Sequence, residues 1–172
     1  MSVDLNDREP GAVQSILWLL VFLGVVFIFA AAGGSVTATS VKTWYVTLIK
    51  PPLTPPNWVF APVWTLLFFL MGLAAWLVWR RGGGIGKSGA ALPIFFAQLG
   101  LNFGWSIAFF GMRNPAIAMI EIFVLLAAII ATVLSFSRIE KLAGLLLLPY
   151  LAWTAFATYL TVAIWWLNRA VI

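Results

Sequence analysis

The chain has 172 residues, 63% of them hydrophobic and 9% charged, with ten Lys and Arg against five Asp and Glu for a formal charge of +5. A water-soluble globule of that composition lacks the polar surface to cover itself, so a soluble fold is excluded. Cysteine and histidine are both absent, which removes disulfides, thiolate and imidazole catalysis, and metal or haem held by those side chains.

Five apolar stretches, at about 13–33, 57–79, 90–110, 115–137 and 142–166, are each long enough to cross ~30 Å of hydrocarbon at ~1.5 Å per residue. Runs such as Ile16–Ala32 and Ile117–Val133 do not alternate apolar with polar, so helices are expected and barrel strands are not. The expected fold is an all-α membrane protein, a five-transmembrane-helix bundle. Its single membrane domain covers about 13–168, between tails at 1–12 and 169–172, and leaves no room for a soluble catalytic module.

The first span ends in Ala30-Ala31-Ala32, which resembles a signal-peptide cleavage site. The segment before it, with Asp4, Asp7, Arg8 and Glu9, is net acidic where a signal peptide is basic, so the span reads as a membrane helix. The long connection from about Gly34 to Pro56 follows, with Lys42, Trp44, Tyr45 and Lys50. Prolines at 51, 52, 55 and 56 stiffen its end. Two readings stand: a lid over a binding site, or an interfacial tether. Thr54 or Asn57 is expected to cap the second helix, which Pro62 is expected to kink.

Gly82-Gly83-Gly84-Ile85-Gly86-Lys87-Ser88 lacks the spacing of a phosphate loop and reads as a linker. In the third span, Gln98, Asn102, Trp105 and Phe109 share one helical face, while Gly100, Gly104 and Ala108 share the opposite one. The amides are expected to point inward. The small stripe suits close helix packing, either in a homodimer through Gly100, Gly104 and Ala108 or within one chain. Glu121, in the fourth span, is the one acid or base well inside any span; a helix-dipole or snorkelling role fits it.

On the fifth span Tyr150, Trp153, Thr154, Ala157 and Thr161 share a face. The second span offers Asn57, Trp64 and Phe68. Together these residues predict an aromatic-walled cavity with a few neutral hydrogen-bonding groups, suited to a large, flat, mostly apolar ligand. Trp76, Trp79, Trp165 and Trp166 sit at span ends and read as interfacial anchors, whereas Trp64, Trp105 and Trp153 lie deeper. Arg8, Arg80, Arg81, Lys87, Arg138 and Lys141 fall on the N-terminal side, against Lys42, Lys50, Arg113 and Arg169 on the other. That asymmetry slightly favours a cytoplasmic N-terminus. These cations are expected to meet lipid headgroups; no nucleic-acid partner is expected.

Several ordered motifs resemble the translocator protein family, also called the tryptophan-rich sensory protein or TspO/MBR family. They are Trp44-Tyr45-Val46 with Lys50-Pro51, then Pro55-Pro56-Asn57-Trp58-Val59-Phe60-Ala61-Pro62-Val63-Trp64. Gln98-Leu99-Gly100-Leu101-Asn102-Phe103-Gly104-Trp105 with Phe109-Phe110-Gly111, and Pro149-Tyr150-Leu151-Ala152-Trp153 with Phe156-Ala157-Thr158, continue the series. The likeness spans about residues 40 to 168. It implies a five-helix bundle, often dimeric, in a bacterial cell membrane, binding porphyrins such as protoporphyrin IX, sterols or synthetic isoquinoline-carboxamides.

By that resemblance Trp64 and Trp153 match tryptophans implicated in porphyrin photodegradation, and Asn102, Trp105, Tyr150, Ala157 and Leu160 match pocket positions. The Tyr and Arg of the animal cholesterol motif are missing from Leu160–Trp166, a pocket tryptophan becomes Ile117, and another usual Trp is Leu53.

The leading expectation is a non-enzymatic tetrapyrrole receptor or carrier without a resident cofactor. The ligand-binding set is Trp64, Gln98, Asn102, Trp105, Tyr150, Trp153, Ala157 and Leu160. Trp105 and Trp153 would stack on the macrocycle, and Lys42 or Lys50 would meet its carboxylates. The alternatives are an enzyme that degrades bound porphyrin in light through Trp64 and Trp153, and a structural or regulatory membrane partner.

Overall fold

Backbone amides in hydrocarbon must be paired by their own segment, and that requirement makes every long apolar run helical. The computed structural model describes residues 11–86 and 88–170. Its helices are α1 (Ala12–Ala38), α2 (Asn57–Arg81), α3 (Ala91–Ser106), α4 (Pro115–Ile139), α5 (Lys141–Leu146) and α6 (Leu148–Asn168). No strand occurs among the described residues. The expected tails, with Asp4, Asp7, Arg8 and Glu9, fall mainly on residues 1–10 and 171–172. These, and Lys87 in the expected linker, lie outside the described residues.

Five spans result, as the sequence predicts: α1, α2, α3 with its last turn to Gly111, α4, and α5 joined to α6. The protein is a multi-pass integral membrane protein. α1 packs on α2 and α3; α4 packs on α3, α5 and α6; α2 closes the ring on α5 and touches α6 only lightly. Close approach of α1 to α2 depends on Gly72, where a Cβ would stand 2.8 Å from Leu23 Cδ2.

Helix ends follow local chemistry. Asn114 caps α4, its Oδ1 accepting from the N–H groups of Ala116 and Ile117 at 3.1 Å, with Pro115 in the first position. Pro149, which has no N–H, sits in the first turn of α6 and separates it from α5. At the start of α2 the expected caps are not used. Pro56 occupies the cap position, Asn57 is the first helical residue, and the Thr54 hydroxyl donates to Pro51 O at 2.8 Å. The helix continues through Pro62 without a break.

The bundle is filled unevenly along its length. The half near the α2–α3 loop is solid, with Met71, Leu92, Phe95, Leu99, Ile129 and Phe136 almost fully buried. Trp79 belongs to this core: it is 4% exposed and stacks on Trp18 at 5.1 Å between ring centroids. It is thus not the interfacial anchor expected from its depth, because α1 covers it. Trp166, 55% exposed beneath the Arg169 guanidinium at 3.5 Å, does match that expectation. The opposite half, under the α1–α2 connection, is where space remains.

Candidate ligand cavity

Gln98 and Asn102 lie one turn apart on α3, so their amides point the same way and both are buried. A buried amide needs partners, and the Tyr150 hydroxyl of α6 serves both. It donates to Gln98 Oε1 at 2.9 Å and accepts from Asn102 Nδ2 at 3.1 Å. The Gln98 amide nitrogen reaches Met71 Sδ of α2 at 4.0 Å. This knot ties α3 to α6 where the filled half ends.

Above it opens a cavity of about 750 Å³. α2 contributes Trp58, Phe60 and Trp64; α3 contributes Asn102 and Trp105, with Phe109 from its last turn; α6 contributes Trp153, Ala157, Leu160 and Thr161. The rings brace one another. Trp105 stacks on Phe109 at 5.2 Å, Trp64 meets Tyr150 edge-on at 6.2 Å, and Trp153 meets Phe60 at 6.0 Å. The last turn of α3, Ile107–Gly111, is a wider π-type turn closed by Met112 N–H to Ile107 O at 2.7 Å. Such a turn redirects side chains, and here it sets Phe109 and Phe110 beneath the α1–α2 connection.

That connection is an ordered lid. The Ser40 hydroxyl donates to Phe110 O at 2.7 Å, and Tyr45, 5% exposed, packs on Phe109 and Phe110. Asn168, at the end of α6, grips Ile49 twice at 2.9 Å: its Oδ1 accepts from the backbone N–H and its Nδ2 donates to the carbonyl. Tyr159 holds Pro52 O at 3.2 Å. Burial pushes the Tyr45 phenol above its ordinary range. The segment thus covers the cavity through Val41, Lys42 and Tyr45 and is anchored to α6 and to the last turn of α3.

The structure therefore brings Trp64, Asn102, Trp105, Trp153, Ala157 and Leu160 onto one cavity wall, with Lys42 at its rim. Gln98 and Tyr150 stand behind that wall and support it through Asn102. Lys50 does not line the cavity; its ammonium lies over the Tyr45 ring at 4.5 Å. The small stripe on α3 divides. Gly100 is open, Gly104 is half-buried facing Glu121, and Ala108 is buried inside the chain beside Ala118 of α4. Ala108 is thus a contact within one chain rather than a free dimer surface, because α4 already covers it.

Sequence reasoning missed the wall supplied by α1, which includes Ala30, Gly33, Gly34 and Thr37. A Cβ at Gly33 would stand 3.2 Å from Ser106 Oγ, so glycine lets α1 approach α3 there. The signal lies in the run of small residues from Ala30 to Gly34, which suits close approach of a facing helix.

Comparison with known proteins agrees with this architecture. A family model described as the TspO/MBR family matches residues 18–167. The chain is 45% identical over 155 residues to the tryptophan-rich protein TspO of Archaeoglobus fulgidus, covering 90% of this chain and 99% of the relative. It is 39% identical over 138 residues to the tryptophan-rich sensory protein of Cereibacter sphaeroides, covering 79% and 85%. With the human translocator protein it shares 40% identity over 123 residues, covering 71% and 73%. A family match across residues 18–167, with relatives at 39–45% identity, means that this protein belongs to the TspO/MBR family.

Proposed function

We propose that the cavity binds a free-base tetrapyrrole of the protoporphyrin IX type and that the protein acts as its membrane receptor or carrier. The observation that carries this reading is the hollow of about 750 Å³ with Trp64, Trp105 and Trp153 on its wall and Asn102 as a buried amide. Pockets of roughly 300–1,000 Å³ suit ligands of this size, and aromatic faces suit a flat π-system. Lys42 at the rim offers a cation to carboxylates that are costly to bury unpaired. The lid bonds at Ser40, Ile49 and Pro52 then cover the occupied site.

Titration of purified protein in lipid nanodiscs with protoporphyrin IX tests this reading. Saturable quenching of tryptophan emission at one ligand per chain is the expected result, weakened by Trp105→Leu and Trp153→Leu. Emission unchanged on mixing would remove the proposal.

A second reading adds chemistry. Trp64 and Trp153 approach the cavity from α2 and α6, so either indole can give an electron to a light-excited porphyrin, with dioxygen as the final oxidant. Illumination of the complex under air would then yield a new absorbing product. Replacement of both tryptophans by phenylalanine abolishes it if they are the donors, and leaves it unchanged if bleaching is unassisted.

A further inference from the structure

Glu121 lies inside a span, and the function proposed above makes no use of it. It projects from the second turn of α4. Both carboxyl oxygens are shut off from solvent, and neither has a hydrogen-bond partner. α3 meets the group through Gly104, where a Cβ would stand 3.8 Å from Oε1.

Among the described residues no cation forms an ion pair with it. α3 and its last turn, from Ala91 to Gly111, contain no titratable residue. α6, which packs on α4, carries Tyr150 and Tyr159 as its titratable residues, and neither gives Glu121 a hydrogen bond. Lys141 of α5, Arg80 and Arg81 of α2, and Arg138 of α4 itself all lie at the other end of the bundle. Arg113, in the turn before α4, gives it no hydrogen bond. A bare carboxylate in so apolar a setting is strongly disfavoured, and an acid carrying its proton is not. Two more polar atoms on the helices packed against α4 are also buried without partners: the Trp105 indole nitrogen on α3 and the Thr154 hydroxyl on α6.

These observations connect Glu121 to the cavity. Asn102, two residues before the Gly104 that meets Glu121, lines the cavity and is hydrogen-bonded to Tyr150 of α6 at 3.1 Å. Trp105, which follows Gly104, lines it too. We propose that Glu121 is a proton-binding site behind the cavity wall, and that ligand in the cavity changes the hydrogen bonding of that proton through Tyr150 and Asn102. The coupling rests on the cavity being a ligand site; the proton site does not.

Infrared difference spectroscopy of the full-length protein in lipid distinguishes the two parts. At neutral pH the wild type is expected to show the carbonyl band of a protonated carboxylic acid. The band shifts on uniform 13C-glutamate labelling and disappears in Glu121→Gln. Labelling assigns the band to a glutamate even where Glu121→Gln folds poorly; of the other two, Glu140 is paired with Arg81, and a Glu9→Gln variant that keeps the band removes Glu9 from consideration. Absence of that band from labelled wild type overturns the proton site. Adding protoporphyrin IX is expected to move the band in wild type and leave it in place in Tyr150→Phe. A band that stays fixed while tryptophan quenching confirms binding overturns the coupling. A band present without any quenching sustains the proton site and instead overturns the ligand reading.

Discussion

Tyr150 and Asn102 share a 3.1 Å hydrogen bond between α6 and α3 that fixes the Asn102 amide in the cavity wall. Between helices in lipid the hydrophobic effect supplies little, so packing and such polar bonds carry the association. Tyr150→Phe removes the partner of two buried amides while keeping the ring. The expected loss is about 1–3 kcal/mol, read as a lower thermal midpoint in detergent. An unchanged midpoint would mean that the amides find other partners and the knot is incidental.

The lid is held from α6 by a side chain that imitates a backbone pair. Asn168 satisfies both the N–H and the carbonyl of Ile49 at 2.9 Å. Asn168→Ala is expected to speed amide exchange around Ile49 and accelerate release of bound pigment, with exchange in the Phe95–Phe136 core unaltered. Equal exchange in both proteins would show that Tyr45 and Ser40 suffice to hold the lid.

At the opposite end Glu140 joins α2 to the turn before α5. Its carboxylate accepts from the Leu142 N–H at 3.2 Å and from Arg81 Nε at 3.0 Å. The backbone bond first, and then Arg81, hold its pKa below the ordinary carboxylate value. A folded value below the unfolded one stabilises the fold above the unfolded pKa of about 4.3, and that contribution fades as pH falls through the depressed value. Glu140→Gln should therefore melt below wild type at neutral pH and converge with it at the acid end of the titration. A gap that persists at low pH would assign the effect to packing rather than ionisation.

Much of this architecture was legible in the sequence, for physical reasons that also mark where legibility ends. Span length and the missing charges set the helices. The one-turn spacing of Gln98 and Asn102 already required an inward face. Trp79 was misread because depth in the bilayer says nothing about the ring stacked on it, here Trp18. The grip of Asn168 on Ile49 joins residues 119 apart in the chain, which no local pattern encodes. Gly33 and Gly34 carry no side chain to announce a cavity wall, and their role appears only once α3 lies against them. Glu121 was visible as an isolated acid, but its lack of any partner emerged only with the packing of α3, α4 and α6.

Filling the hollow tests the central claim most directly. Ala157 lines the cavity from α6, and Ala157→Phe places a ring where the pigment is proposed to lie while leaving the outer surface of the bundle alone. Protoporphyrin IX affinity, measured by tryptophan quenching in nanodiscs, should fall at least about tenfold, a difference of ~1.4 kcal/mol. The variant's thermal midpoint should stay near that of wild type. Unchanged affinity in a well-folded Ala157→Phe protein would place the pigment outside the bundle and contradict the account.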